Sequence, residues 1–173
     1  MGDSGFAVLV AVCILTHFAR DVYEVLKDKQ ILAPDRNTFL VMFANMVLLW
    51  ASWCLLCALD PSRMDFPNAV RYLGITLFGI GAALFVAGLL TLGTLESYDN
   101  DLVTSGIYSR IRHPMYLAFI LWLISLPVFF GGLLSFILSP FLVANVLWWR
   151  SLEEKELEQR FASYGAYKRA TWF

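Results

Sequence analysis

Long stretches without a charged side chain constrain the fold of this sequence more than any other feature. No Asp, Glu, Lys or Arg occurs from Thr38 to Leu59, from Tyr72 to Leu95 or from Pro114 to Trp149. A helix that crosses a bilayer needs about 20 consecutive apolar residues, so each of the first two runs matches one span. The third run would make a helix of about 54 Å, far longer than the bilayer core of about 30 Å. Gly131 and Gly132 lie near its middle, and we expect a tight turn there between two shorter helices.

A further span is expected near the amino terminus, where an apolar run extends from Gly5 to Ala19. Arg20 follows this run, and its long side chain can reach the membrane interface while the helix continues. A cleaved signal peptide is the alternative for such a segment. It would have basic residues before the apolar run, and this sequence has none there.

The composition agrees with an all-α integral membrane protein of about five transmembrane helices. The 173 residues are 59% hydrophobic and 16% charged, whereas soluble domains are about 45–50% apolar and about 25% charged. These values exclude an ordinary soluble enzyme and a disordered chain, and a net charge of −1 offers no basic surface for nucleic acid. In this single membrane domain, the predicted spans are 5–26, 38–59, 70–95, 114–130 and 133–150, and residues 151–173 form a cytoplasmic amphipathic helix and tail.

Lysine and arginine residues are divided unequally between the two sides of this predicted bundle. With five spans, 11 of the 13 fall on one side, and only Arg63 and Arg71 fall on the other. Cytoplasmic loops of membrane proteins are enriched in these residues. We therefore expect the third loop and the carboxyl-terminal tail to face the cytoplasm, and the amino terminus to face the opposite side.

Two features of the spans concern packing and not chemistry. Gly79, Ala83 and Ala87 recur every four residues, a spacing that predicts close contact with a neighbouring helix. Cys54 and Cys57 lie in a wholly apolar span with no His or carboxylate nearby, so we expect no metal site there.

Polar residues concentrate in two segments, 101–116 and 148–167, on the predicted cytoplasmic side. The segments flank the predicted hairpin of helices, which returns the chain to the side where it started. We therefore expect them to be neighbours that line one pocket at the membrane surface. Taken singly, several of these residues also suit ordinary roles, such as Pro114 in the first turn of a helix. The two segments contain Asp101, Tyr108, Arg110, Arg112, His113, Tyr116, Arg150, Glu153, Glu154, Tyr164 and Tyr167.

The same segments resemble a family of membrane enzymes. From Leu102 the chain reads Leu-Val-Thr-Ser-Gly-Ile-Tyr, and Arg-His-Pro-Met-Tyr ends at Tyr116. After the hairpin come Glu153-Glu154 and the pair Tyr164 and Tyr167. This order resembles the isoprenylcysteine carboxyl methyltransferase and phospholipid methyltransferase family over about residues 70–170. The chain differs from the family where Phe161-Ala162 replaces the usual Phe-Gly, and where Thr171-Trp-Phe is not followed by a Pro.

The resemblance implies methyl transfer from S-adenosylmethionine to a lipid-like acceptor at the cytoplasmic membrane face. It implies a donor site between the last two spans and the carboxyl-terminal helix. A carboxylate there can accept hydrogen bonds from the donor's ammonium or ribose hydroxyls, and tyrosine rings can cover its sulfonium. The residues that this implies as cofactor-binding are Leu102, Tyr108, His113, Tyr116, Glu153 and Glu154.

The acceptor decides which further groups the reaction needs, because methyl transfer itself requires mainly alignment and exclusion of water. A carboxylate acceptor is already nucleophilic and is oriented by arginine, whereas an amine needs a base. Arg112, Arg150 and Tyr116 are the candidate catalytic residues, and they favour carboxyl O-methylation of the isoprenylcysteine type. Phospholipid amine N-methylation and a non-catalytic membrane scaffold are the alternatives. Arg71, on the far side, is assigned no role.

An amphiphilic acceptor and membrane lipids are therefore the expected partners, and neither nucleic acid nor metal is expected. The acceptor would enter laterally, with its tail in the bilayer and its head in the pocket. This predicts a gap between helices lined by residues such as Phe119, Trp122 and Leu147.

Overall fold

The computed structural model describes residues 3–32, 35–92 and 102–173. Every regular element in these ranges is helical, which confirms the predicted all-α class. Residues 93–95 of the third predicted span, and Asp101 of the first polar segment, lie outside the described residues. In chain order the helices are α1 (Asp3–Asp28), α2 (Arg36–Ala58), α3 (Asn68–Leu92), a 3₁₀ turn (Gly106–Ser109), α4 (Pro114–Phe130), α5 (Leu133–Arg160) and α6 (Tyr164–Ala170).

Four of these helices, α1, α2, α3 and α5, are long and apolar enough to cross a membrane. Helix α4 is apolar throughout but has only 17 residues, which gives it a length of about 25 Å. Helix α5 does not end near Arg150 but continues to Arg160. The sequence after Arg150 is rich in Leu, Glu and Lys, which are strong helix formers, so nothing interrupts the helix there.

Local sequence fixes where several helices begin and end. Asp35 caps α2: its carboxylate accepts from the backbone N–H of Thr38 at 2.7 Å, while the Thr38 hydroxyl accepts from the backbone N–H of Asp35. Pro114 occupies the first turn of α4, where its missing N–H costs nothing. Gly131 ends α4 with φ of 71°, a left-handed conformation that glycine adopts without strain. The tight turn predicted at Gly131 and Gly132 is therefore present.

Helices α3 and α4 pack closely through glycines of α3. A Cβ atom on Gly74 would lie 2.8 Å from the backbone nitrogen of Phe129, and one on Gly81 would lie 2.8 Å from the indole nitrogen of Trp122. The predicted stripe through Gly79 is wrong in this respect, because nothing lies within 4 Å of a Cβ atom placed there. The glycines of α3 that lie against α4 are Gly74, Gly81 and Gly88, which recur every seven residues.

At one end of the bundle, residues 57–67 meet the α4–α5 turn, residues 130–135. We call this the Asp60 end. The buried carboxylate of Asp60 accepts from the backbone N–H and the hydroxyl of Ser135, at 2.8 and 2.9 Å. Arg63 donates to the carbonyl oxygens of Phe130, at 2.9 Å, and of Cys57, at 3.3 Å, near the last turns of α4 and α2. Both charges thus satisfy backbone groups that helix ends leave without partners.

Candidate functional site

A cavity of about 690 Å³ opens at the opposite end of the bundle, which we call the pocket end. Side chains from all six helices and from the segment before α4 line it. Its volume lies in the range of about 300–1,000 Å³ that is typical of small-molecule sites. The cavity has a polar region near the ends of α1, α5 and α6 and an apolar region between α2, α3 and α4.

The cavity lining includes five of the six residues expected at a donor site. Tyr116 and Glu153 interact electrostatically, and the Tyr164 hydroxyl lies 3.4 Å from Nε2 of His113. The Tyr167 hydroxyl donates to the backbone oxygen of Tyr108 at 2.6 Å. Burial raises the pKa of the Tyr164 phenol, so this hydroxyl stays protonated at neutral pH. The predicted residues that line the cavity are Leu102, Tyr108, His113, Tyr116 and Glu153, together with Arg112.

The two neighbouring carboxylates, Glu153 and Glu154, lie in different environments. Successive helical residues point about 100° apart, and only Glu153 is among the cavity-lining residues. Glu154 is buried beneath the carboxyl-terminal segment. Its carboxylate lies 2.8 Å from Nζ of Lys168, 3.3 Å from Nε of Arg112 and 3.3 Å from Nε2 of His113. The sequence alone does not predict that Glu153 and Glu154 lie in different environments, whereas the structure shows that they do.

Arg112 connects Glu154 to the last residues of the chain. Its guanidinium donates to the backbone oxygens of Lys168, at 3.0 Å, and Thr171, at 2.6 Å. Backbone hydrogen bonds join the same segments, because Arg112 N–H donates to Trp172 and His113 N–H donates to Phe173. The Glu154 carboxylate also raises the pKa of the Lys168 ammonium, so Lys168 remains charged. These contacts hold α6 against one side of the cavity.

Arg150, a candidate catalytic residue, lies outside the described cavity lining. Its guanidinium stands over the ring of Phe173, 4.6 Å from the ring centre. Its Nε atom is 3.8 Å from the Glu154 carboxylate, which is too long for a hydrogen bond. Arg150 therefore contacts the carboxyl-terminal segment and not the described lining of the cavity.

Sequence reasoning missed the contribution of α1, which places Arg20, Tyr23 and Lys27 in the cavity wall. The sequence contained a signal for it. Arg20 and Glu24 lie within the predicted span 5–26, and ionisable residues inside a span usually face the interior of the bundle. The interpretation of Arg20 as an interfacial anchor does not predict its position in the cavity wall.

Polar contacts attach α1 to α5 beside the cavity. The carboxylate of Asp21 accepts from the Asn145 amide at 2.7 Å and from the Trp149 indole at 2.6 Å. The Asn145 amide oxygen lies 2.8 Å from Nδ1 of His17. Lys27 pairs with Glu156 at 3.0 Å. Charge pairing and hydrogen bonding therefore position α1, in addition to apolar packing.

The apolar region of the cavity is aromatic and borders the side of the bundle between α2 and α3. The Trp50 ring lies 5.0 Å from those of both Phe119 and Trp122. Phe43 of α2 lines the cavity and is about half exposed on the outer surface. Of the three residues expected to line a lateral gap, Phe119 and Trp122 line the cavity, whereas Leu147 lies outside the described lining.

The fold and the cavity define a multi-pass membrane protein with an amphipathic site at one end of its helices. A sequence model of the phospholipid methyltransferase family matches residues 69–164, and the chain belongs to this family. It is therefore a membrane methyltransferase that acts on lipid-like substrates. Neither a curated protein nor a solved structure matches the chain. The family match includes α3, α4 and α5 but not α1 or α2.

Proposed function

We propose that this enzyme transfers a methyl group from S-adenosylmethionine to a carboxylate on a lipid-like acceptor. The observation that carries the proposal is the amphipathic cavity. Its polar region presents Glu153, Tyr116 and His113, and its aromatic region is lined by apolar residues of α2, α3 and α4. A head group and an apolar tail would therefore be accommodated in one continuous space.

The residues of the polar region fit S-adenosylmethionine, the methyl donor that this family generally uses. The Glu153 carboxylate is suited to accept hydrogen bonds from an ammonium or from ribose hydroxyls. The rings of Tyr108, Tyr116 and Tyr164 provide electron-rich faces for a sulfonium. The bound donor supplies an electrophilic methyl group. The protein's part is to hold the donor, to align the acceptor and to exclude water.

Glu153 and Glu154 have different roles in this proposal. Glu153 binds the donor, because its side chain lines the cavity. Glu154 and Arg112 hold the carboxyl-terminal segment over the site, since both are engaged in contacts with residues 168–171. Arg150 helps to hold the same segment through its contact with Phe173. Tyr116 lies beside the reacting groups in this proposal.

A carboxylate acceptor suits the cationic residues of the cavity, among them Arg20 and Lys27. When a carboxylate oxygen forms the new C–O bond, the methyl–sulfur bond breaks and the electron pair stays on sulfur. No proton leaves the acceptor, so the site needs no base. Cations that orient the carboxylate without protonating it are sufficient.

Phospholipid amine N-methylation is the second candidate. The name of the family and the presence of two carboxylates in the cavity lining, Glu153 and Glu156, favour it. An attacking amine must lose one proton, and either carboxylate would accept it.

For either acceptor, we expect the pocket end to face the cytoplasm, an orientation supported by the unequal division of Lys and Arg residues.

A radiolabelled methyl-transfer assay tests this proposal. Purified protein in detergent is given labelled S-adenosylmethionine with an N-acetyl prenylcysteine, with phosphatidylethanolamine, or with total membrane lipid. We expect label in a base-labile ester of the prenylcysteine, whereas base-stable label in phosphatidylethanolamine would establish the second candidate. A matched pair, Glu153→Gln and Asp65→Asn, each replaces one carboxylate by an amide. Only Glu153→Gln should abolish transfer, since Asp65 is exposed on the loop of the Asp60 end. A folded protein that labels none of these acceptors would favour a non-catalytic scaffold.

A further inference from the structure

Arg20 is a cation of α1 placed in the wall of the cavity. Its guanidinium lies over the Tyr23 ring, 5.3 Å from the ring centre, and 5.8 Å from the centre of the Trp149 ring. It is also paired with the buried carboxylate of Glu24, one helical turn away. An arginine flanked in this way has few rotamers, so its donors point in fixed directions.

Pairing with Glu24 does not use all the hydrogen-bonding capacity of Arg20. A guanidinium has five N–H donors, and Nη2 is the atom that contacts Glu24. Nε is buried and has no hydrogen-bond partner within the described part of the chain. A buried donor without a partner costs free energy, and at the wall of a large cavity a ligand oxygen can remove that cost.

The neighbours of Arg20 place it next to the proposed reaction site. Tyr116 and Glu153 line the same cavity as Arg20 and interact with it electrostatically. On the apolar side, α2 contributes Met42, Met46 and Trp50 to the same cavity. Arg20 thus stands between the polar donor region and the aromatic region that would hold an acyl or prenyl tail.

The family match adds an independent observation. The match begins at residue 69, so the part of the chain that matches the family includes α3, α4 and α5. Helices α1 and α2 nevertheless form a large part of the cavity wall. If α3, α4 and α5 bind the methyl donor that the family has in common, then α1 and α2 are the helices that select the acceptor.

We propose that Arg20 binds an oxyanion of the lipid acceptor, a carboxylate or a phosphate, and that α1 thereby selects acceptors with an anionic head group. This inference rests on the proposed methyltransferase function. In carboxyl methylation Arg20 orients the oxygen that is methylated. In phospholipid methylation it holds the phosphate while the amine reaches the methyl group.

Steady-state kinetics on Arg20→Gln and Arg20→Lys test the inference. The matched control is Lys29→Gln, which removes an exposed cation near the end of the same helix. The probes are an N-acetyl prenylcysteine, for the carboxylate, and phosphatidylethanolamine, for the phosphate. For whichever probe is methylated, we expect Arg20→Gln to lower kcat/KM about 10- to 100-fold, the factor expected for a lost charge-assisted hydrogen bond. The dissociation constant of S-adenosylmethionine should change less than about threefold. Arg20→Lys should recover part of the activity because it retains the charge.

A competition arm separates anion recognition from a structural role. We expect the carboxamide of the prenylcysteine to bind the wild type more weakly than the acid does, and this difference in affinity should disappear in Arg20→Gln. If phosphatidylethanolamine is the substrate, an uncharged glyceride with the same acyl chains replaces the carboxamide. A wild-type KM in Arg20→Gln would overturn the inference but leave the methyltransferase function intact. Equal losses of donor and acceptor binding would assign Arg20 to the packing of α1 and would overturn it as well. A wild type that methylates no lipid would instead overturn the proposed function, and the inference with it.

Discussion

At the Asp60 end, the charged side chains are engaged with backbone groups, whereas at the pocket end several of them face a cavity. Asp60 and Arg63 satisfy N–H and C=O groups where α2, α4 and α5 begin or end. Arg20, Lys27 and Glu153 line the opening at the other end. A charge inside or beside a membrane is costly, so each of these residues needs a reason to be present. At the Asp60 end the reason is structural, and at the pocket end we propose that it is the ligand.

Removing Asp60 tests the structural half of this comparison and should have the largest effect. Asp60→Ala deletes three hydrogen bonds, to Ser62 and to the N–H and hydroxyl of Ser135, and leaves a buried N–H without a partner. We expect a loss of about 3 kcal/mol in the free energy of unfolding. Thermal unfolding in detergent measures it. Donor affinity of the remaining folded protein should not change. Full stability in Asp60→Ala would show that the Asp60 end does not depend on this carboxylate.

Glu154 tests the pocket end, where one carboxylate has a structural role. Glu154→Ala leaves Arg112, His113 and Lys168 without their shared partner, and we expect a cost of about 2 kcal/mol. The loss should be local, with faster hydrogen exchange in residues 164–173 and unchanged exchange in α2 and α3. Glu158→Ala is the control, because Glu158 also contacts Lys168 but is exposed. Equal exchange in the two variants would contradict the role given to Glu154.

The α3–α4 contact lies between the two ends and involves no charge. Gly81→Ala places a methyl group 2.8 Å from the Trp122 indole nitrogen, and we expect a loss of about 1–2 kcal/mol in stability. Gly79→Ala has open space around its methyl group and should be neutral or slightly stabilising, since alanine favours helix. Chemical or thermal unfolding of the pair measures the difference. If Gly79→Ala were the more destabilising change, the packing face of α3 would be misassigned.

The smallest effect is expected for the ion pair of Lys27 and Glu156. Both side chains are partly exposed, at 30% and 42%, and pairs of this kind contribute about 0.5 kcal/mol. Lys27→Ala should therefore change the unfolding temperature only slightly and mainly at low salt. A loss as large as that of Asp60→Ala would show that α1 depends on this pair.

The sequence predicts the helical class and the hairpin well because both depend on local properties. Charge-free runs define the long helices, and Gly131 marks the turn. The different environments of Glu153 and Glu154 were not predictable, since they depend on how α5 is rotated against its neighbours. The same reason explains the error over Gly79, because the face of α3 that meets α4 is set by tertiary packing. Arg20 could have been found, since a cation within an apolar span already indicates a site.

Calorimetric titration of S-adenosylmethionine into the purified protein tests the central claim most directly. The account predicts micromolar binding to the wild type, about −8 kcal/mol. It predicts binding at least about tenfold weaker in Glu153→Gln, with wild-type affinity in Asp65→Asn. No heat of binding with the wild type, or equal affinity in Glu153→Gln, would contradict it.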